Sequence, residues 1–376
     1  MKPDFVKMGK THTLTFTGDV MLARLIDQLY PTHIHDPSSA ATADHFRETY
    51  PTLSTGTYNP SSPWGTTLPL LRNSEITLIN LETAATTSPT PWPGKAFNYR
   101  MHPANLAPIL RAAKVGYVGL ANNHTLDFGV EGLFETIRTV QRTGIPFAGV
   151  GESPEEARRP AVLKLGREGR GFEVLVYAAA DHPSEWGGVD GFHLVDYTFE
   201  TRRRLKELLM SVGARSKPAL KIFSVHWGPN YTWEPGEKIR GLAHFLVDEC
   251  EVDIVHGHSS HHVQGVEVYR GRLIVYGCGD FVDDYVVHDE YRNDLGALWR
   301  VNVKEGEMDN GKGKLVLDRL EIFPTRIERF KAMLLGVDDE DHEWVRRKVS
   351  MLSMELGTLV RENIGSEGQI VVDIDQ

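Results

Sequence analysis

Cysteine is nearly missing. The chain holds two, Cys250 and Cys278, in 376 residues. Two are too few for a disulfide framework, which fits a reducing compartment, with Cys250 a small core residue. Long apolar runs are missing too: no stretch approaches the roughly twenty apolar residues of a membrane helix. Behind the charged start Met1–Lys10, the segment Thr11–Thr17 alternates as a strand does, unlike the core of a signal peptide. The expectation is a soluble, cytoplasmic protein with no membrane partner. A basic excess is also lacking, since 41 Lys and Arg stand against 51 Asp and Glu, a formal charge of −10. That excludes the electrostatic footprint of a nucleic-acid binder. What is present, 41% hydrophobic residues over this length, can bury a large core in one domain or two.

The chain is organised around 116–129. Tyr117, Val118 and Leu120 predict a short buried strand that stops in Asn122, Asn123 and His124. Asp127 and Gly129 then lead into a helical pattern, Val130, Leu133, Phe134, Ile137 and Val140, closed by Gly144. Polar side chains just past the carboxyl end of a strand stand where open α/β sheets bind ligands. The plainer reading is a turn, in which Asn accepts left-handed geometry and Asp127 caps the helix.

The arrangement recurs. A predicted strand Leu14–Thr17 ends in Asp19, with Arg24 in a helix beyond it, and Ile76–Ile79 ends in Glu82. Glu173–Ala179 runs into Asp181 and His182, and Lys221–Val225 into His226. Asp253–Val255 leads to His258 and His261, and the second arm of a hairpin, Leu273–Tyr276, leads to Asp280. Any one of these could be a cap or a turn. Gathered at one end of so many strands, they predict a shared crevice.

Elsewhere the patterns are weaker. The Pro- and Ser-rich stretch 31–66 reads as an insertion loop with one short helix near 41–49. A strand is expected over Phe97–Arg100, a basic helix over 198–213, and a strand pair over 296–304 and 314–323 with a polar turn at 305–313. From Asp339 a charged periodic pattern predicts a helix to about 362. The domain reading is 11–325 as one unit and 326–376 as a C-terminal helical extension.

Carboxylate, amide and imidazole ligands together suit one or two divalent ions, Mn, Zn or Fe, rather than a thiolate site. Asp19, Glu82, Asn123, His226, His258 and His261 are the metal-ligand candidates. Such ions activate a water and neutralise an oxyanion at phosphorus or carbon. His124 is the candidate proton donor, with Asp127 beside it as the second catalytic residue. Arg24, Arg100 and Asp280 are taken as substrate contacts, though either arginine could equally be an ordinary salt-bridge residue.

The order of these motifs resembles the poly-gamma-glutamate capsule synthesis family, CapA-like proteins on a branch of the calcineurin-like metallophosphoesterase fold. The resemblance rests on Gly18-Asp19-Val20-Met21-Leu22, Asn80-Leu81-Glu82-Thr83 and the run from Ala121 to Gly129. His226-Trp227-Gly228, Gly257-His258-Ser259-Ser260-His261 with Gln264, and Gly279-Asp280-Phe281 complete it, over about residues 12–325. It implies an α/β sandwich of two β-sheets flanked by helices, with metals at the strand ends. It also implies a metal-dependent hydrolase or transferase acting on a small-molecule, γ-glutamyl or phosphoester substrate. The alternative is a non-catalytic accessory protein that binds an acidic polymer or a protein partner through a degenerate site. Met21 stands where metallophosphoesterases usually carry a ligand His, and Ser260 where the family often has Pro. One implied site is left with Asp19, Glu82 and His261; the second would comprise Glu82, Asn123, His226 and His258.

Overall fold

Threonines alternate with apolar residues along Thr11–Val20, and β-branched side chains suit a pleated, half-buried surface. In the computed structural model, which describes residues 10–53, 56–166, 171–211, 218–309 and 312–374, this strand lies inside a nine-stranded sheet. The sheet's path runs Ala332–Leu334, Lys312–Ile327, Leu295–Asp309, Thr11–Val20, Ile76–Leu81, Val115–Gly119, Phe147–Ala148. The last four run parallel. Asp280–Val282 adds to the end of Thr11–Val20, and Ile370–Asp373 adds to Lys312–Ile327.

A six-stranded sheet runs Val266–Tyr269, Arg272–Val275, Ile254–His258, Leu220–His226, Phe172–Ala180, Ala161–Leu165, with its inner four strands parallel. The two sheets share one core, in which Leu14 and Phe16 join Val174, Val176, Ile222 and Ile254. Helices cover the outer faces. Leu205 and Leu209 of Phe199–Ser211 and Leu242 and Leu246 of Glu237–Cys250 pack on Tyr177, Phe223 and Val255. Pro103–Ala112 and Gly129–Gln141 bury Leu106, Ile109, Leu133 and Ile137 in the main core. The sandwich of two sheets flanked by helices is therefore present. Parallel strands linked by crossovers put their carboxyl ends on one side, where ligands collect.

Several expectations need correction. The stretch 31–66 is not a loop with one short helix. Helix Pro37–Thr49 starts on Asp36, whose carboxylate accepts from Ser39 N at 2.8 Å. Its periodicity is weak because it buries only Ala43. Further on, Leu53, Tyr58 and Trp64 all enter the main core. Trp64 Nε1 donates to Ile109 O at 2.9 Å, and the Tyr58 hydroxyl donates to Phe330 O at 2.6 Å. Single aromatics anchor this stretch, and isolated anchors leave no period to read. Trp64→Ala is expected to cost about 3–5 kcal/mol of stability, measured by denaturant unfolding.

The strand expected over Phe97–Arg100 shrinks to Arg100–Met101, paired with Ala84–Ala85. The basic helix is described as Phe199–Ser211, and the expected positions 212–213 lie outside the described residues. The hairpin strands continue to Asp309 and restart at Lys312, so the expected turn at 305–313 is mostly strand; 310–311 lie outside the described residues. Beyond 325 the chain is not wholly helical. Helix Glu340–Glu355 stops short of 362, and two strands return to the first sheet. No helix among the described residues is long and apolar enough to cross a membrane.

Candidate metal centre

Strand register brings the predicted ligands together. Asp19 lies opposite Asn80 on one side and Asp280 on the other, while His226 lies opposite His258 in the second sheet. Close backbone approach makes this possible: a Cβ on Gly18 would stand 1.6 Å from Gly279 O. The turn after His258 is strained, with Ser259 at φ 101° and His261 at φ 62°. Such conformations cost about 1–3 kcal/mol each and tend to cluster at functional sites.

The ligand-type side chains form two buried groups that meet at Asp19. Asp19, His226 and His258 make one, and Asp19, Glu82, His261 and Asp280 the other, with ligand atoms inside each group within 4.8 Å of one another. Asp19 Oδ1 is 3.7 Å from Nδ1 of both His226 and His258, and Oδ2 is 3.9 Å from His261 Nδ1. This corrects the expected division, in which Glu82 served the His226 and His258 group. Asp19, not Glu82, is the carboxylate that the histidines of the second sheet reach. Asp280 is corrected as well: it is 1% exposed, pairs with His261 Nδ1 at 2.8 Å and stands among the ligand-type side chains rather than on a substrate surface.

The residues present fit a divalent cation. Glu82 Oε1, Asn123 Oδ1 and His226 Nε2 are buried without a hydrogen-bond partner among the described residues, a costly arrangement unless something else satisfies them. Burial, then the neighbouring Asp19, pushes the Glu82 and Asp280 carboxyls well above their ordinary range. Burial also raises Asp19, against His261 and the Asn80 amide. His226 and His258 are held well below the usual imidazole value by burial first and by neighbouring imidazoles second. Neutral imidazoles beside crowded carboxylates are the donor set a cation would pull into its ligand form.

His124 belongs to neither group. Its Nδ1 is 2.6 Å from Asp127 Oδ2, its Nε2 is 3.8 Å from Glu82 Oε1, and its ring stacks on Tyr99 at 3.9 Å. Asp127 is fully committed: it accepts from Tyr99 N at 2.5 Å, from Lys95 Nζ, and pairs with His124. Asp127 therefore holds the His124 ring and has its own oxygens taken up by Lys95, Tyr99 and His124. Arg24 reaches the rim, 3.5 Å from the Tyr99 hydroxyl and from Asp284. Arg100 does not join the site; it donates to Ser88 O and lies over the Phe128 ring at 4.5 Å.

Sequence reasoning missed the supports. Asn80 Nδ2 donates to Asp19 Oδ1 at 2.6 Å, and Asn122 Nδ2 donates to Asn80 Oδ1 at 3.2 Å. The Tyr285 hydroxyl donates to Glu82 Oε2 at 3.2 Å. Asn80 and Asn122 lie inside the motifs, at the same strand ends as Glu82 and Asn123, and that placement could have flagged them. Lys95 and Tyr285 come from irregular segments and gave no signal. Beside Asn123 opens a cleft of about 690 Å³ lined by Asp181, His182, Tyr197 and Lys238 among others.

The family model described as bacterial capsule synthesis protein PGA_cap matches residues 13–285. A probable polyglutamine synthesis accessory protein of Mycobacterium tuberculosis is 34% identical over 374 residues, covering 93% of both chains. The PGA biosynthesis protein CapA of Bacillus subtilis is 25% identical over 277 residues, 71% of this chain and 64% of that one. Among solved structures, a phosphatase of Mycoplasma pneumoniae is similar at a TM-score of 0.44 and 12% identity, over 86% of this chain and 97% of that chain.

Proposed function

This chain belongs to the bacterial capsule synthesis protein PGA_cap family, and from that premise we propose that it is a metal-dependent hydrolase or related transferase. Its substrate carries a γ-glutamyl or phosphoester bond. One or two divalent ions of the Mn, Zn or Fe class would be held by the two groups around Asp19, with Asn123 the candidate for an amide oxygen. The observation that carries this reading is the Asp19 carboxylate shared by two groups of ligand-type side chains, in which Glu82 Oε1 and His226 Nε2 are buried with no partner among the described residues. Bound there, the ions would supply an activated water and positive charge for a developing oxyanion.

The chain's own side chains do the rest. The Tyr285 hydroxyl and the Asn80 amide hold Glu82 and Asp19 in place. Asp127 accepts a hydrogen bond from the His124 Nδ1–H, so once the ring takes up its second proton with the substrate, Nε2–H on the Glu82 side can pass that proton to the leaving group. The cleft beside Asn123 and His182 gives the substrate room. The two cysteines are free and buried, consistent with the cytoplasm we assign.

A second reading, a non-catalytic accessory protein, is favoured by Met21. Its sulfur takes the Ala23 N–H at 3.1 Å, and the side chain packs with Tyr99, so that position offers the site no imidazole. The name of the mycobacterial relative points the same way. Elemental analysis of protein purified without added metal, followed by a screen of the loaded protein against γ-glutamyl peptides and phosphoesters, separates the two. Bound metal with turnover is expected. Bound metal without turnover on either class would leave the accessory role. His226→Ala and His258→Ala are each expected to lower bound metal, since one of about four ligands is lost; unchanged content in both would sink the metal reading.

A further inference from the structure

A line of polar atoms runs behind the His226 and His258 pair. Ser224 and His256 lie opposite each other on adjacent strands of the second sheet, and both are 1% exposed. His256 Nε2 is 2.8 Å from the Thr17 carbonyl oxygen, across the sandwich on the strand that carries Asp19. His256 Nδ1 is 3.0 Å from Ser224 Oγ, which is 3.1 Å from His258 Nε2.

The protons in this line have one consistent arrangement for neutral imidazoles. A carbonyl oxygen only accepts, so the His256 proton sits on Nε2 and its Nδ1 offers a lone pair. The Ser224 hydroxyl has one hydrogen and must spend it there. Its oxygen can then only accept from His258, which places the His258 proton on Nε2. His258 is left with a bare Nδ1, the atom 3.7 Å from Asp19 Oδ1 and 2.9 Å from His226 Nδ1.

We propose that Ser224 and His256 are positioning residues that lock His258 as its Nε2–H tautomer and so aim Nδ1 at the metal. The proposal rests on the metal reading above and goes beyond it, because it names the ligating atom and what chooses it. The opposite tautomer would turn an N–H toward the ion, and an N–H cannot ligate. Anchoring the line on Thr17 also sets His258 against Asp19, two residues further along the same strand. A group built from both sheets needs such a spacer, since each sheet alone places only half its ligands.

The test measures the His258 tautomer by imidazole ¹⁵N NMR in metal-free protein, and zinc affinity in four proteins. Wild type should show His258 as the Nε2–H form. Ser224→Ala and His256→Phe should each mix the tautomers and weaken zinc binding by about 10–100-fold, the usual effect of losing a partner behind a ligand. His256→Asn, whose amide oxygen can still accept from Ser224, should recover part of the loss. A His258 Nδ1–H form in wild type would overturn the proposal, even if every variant failed to fold. So would folded Ser224→Ala and His256→Phe proteins with unchanged zinc affinity. Wild-type protein that takes up no zinc would instead remove the metal reading, and the wild-type tautomer would still decide the line of hydrogen bonds.

Discussion

Asp19→Asn should abolish bound divalent metal, and any turnover with it, while the protein still folds. Asp19 is the one side chain common to both ligand groups, so its loss weakens both at once. Folding should survive because burial already makes the Asp19 carboxyl costly to ionise in the metal-free protein. The amide has the same shape and keeps an oxygen for the Asn80 or Ser259 donor that Asp19 now accepts from. The readout is thermal unfolding with and without metal. At a hundredfold excess over Kd, a ligand that binds only the folded state adds about 2.7 kcal/mol. Wild type should show that gain and the variant almost none. The pH sign follows from the same burial. Asp19, Glu82 and Asp280 are all pushed up, so protons must leave as the cation enters, and affinity should rise with pH above the ordinary carboxylate range. An Asp19→Asn protein with wild-type metal content and wild-type thermal shift would end the shared-carboxylate assignment.

The difference between what could and could not be read from the chain has a physical cause. Asp19, Glu82, His226 and His258 each follow a run of apolar residues, and alternation or continuous burial marks a strand by itself. The convergence of strand ends was therefore legible, whereas the two-sheet sandwich was implied only by the resemblance of the motifs to a known family. The division of ligands was not, because it depends on sheet order and register. Asp19 lies opposite Asp280 only because Asp280–Val282 leaves the hairpin of the second sheet and joins the first. That switch leaves no periodic trace in the sequence. The stretch 31–66 was misread for a related reason: Tyr58 and Trp64 are fixed by single hydrogen bonds to backbone carbonyls far along the chain, at Phe330 and Ile109. The same holds for Lys95 and Tyr285, polar or aromatic residues in irregular segments whose partners exist only once the fold is complete.

His124→Asn should keep metal and fold while losing turnover by about 10²–10⁴-fold, the usual worth of a positioned proton donor. The metal should stay because His124 lies in neither ligand group. The fold should stay because an Asn side chain can still donate to Asp127, which Lys95 and Tyr99 also hold. Burial pushes the His124 imidazole down to about 4 despite the pull of Asp127, so it rests neutral in the substrate-free protein. It must gain its second proton with the substrate, where negative charge on a phosphoryl or carboxylate group would favour the imidazolium. A substrate with a better leaving group needs less protonation and should recover part of the loss. If His124 were only a brace for the turn, the substitution would instead lower the melting temperature and leave activity per folded molecule nearly intact. Melting temperature, metal content and turnover measured on one preparation distinguish the two. Full activity in a folded, metal-loaded His124→Asn protein would remove His124 from the chemistry.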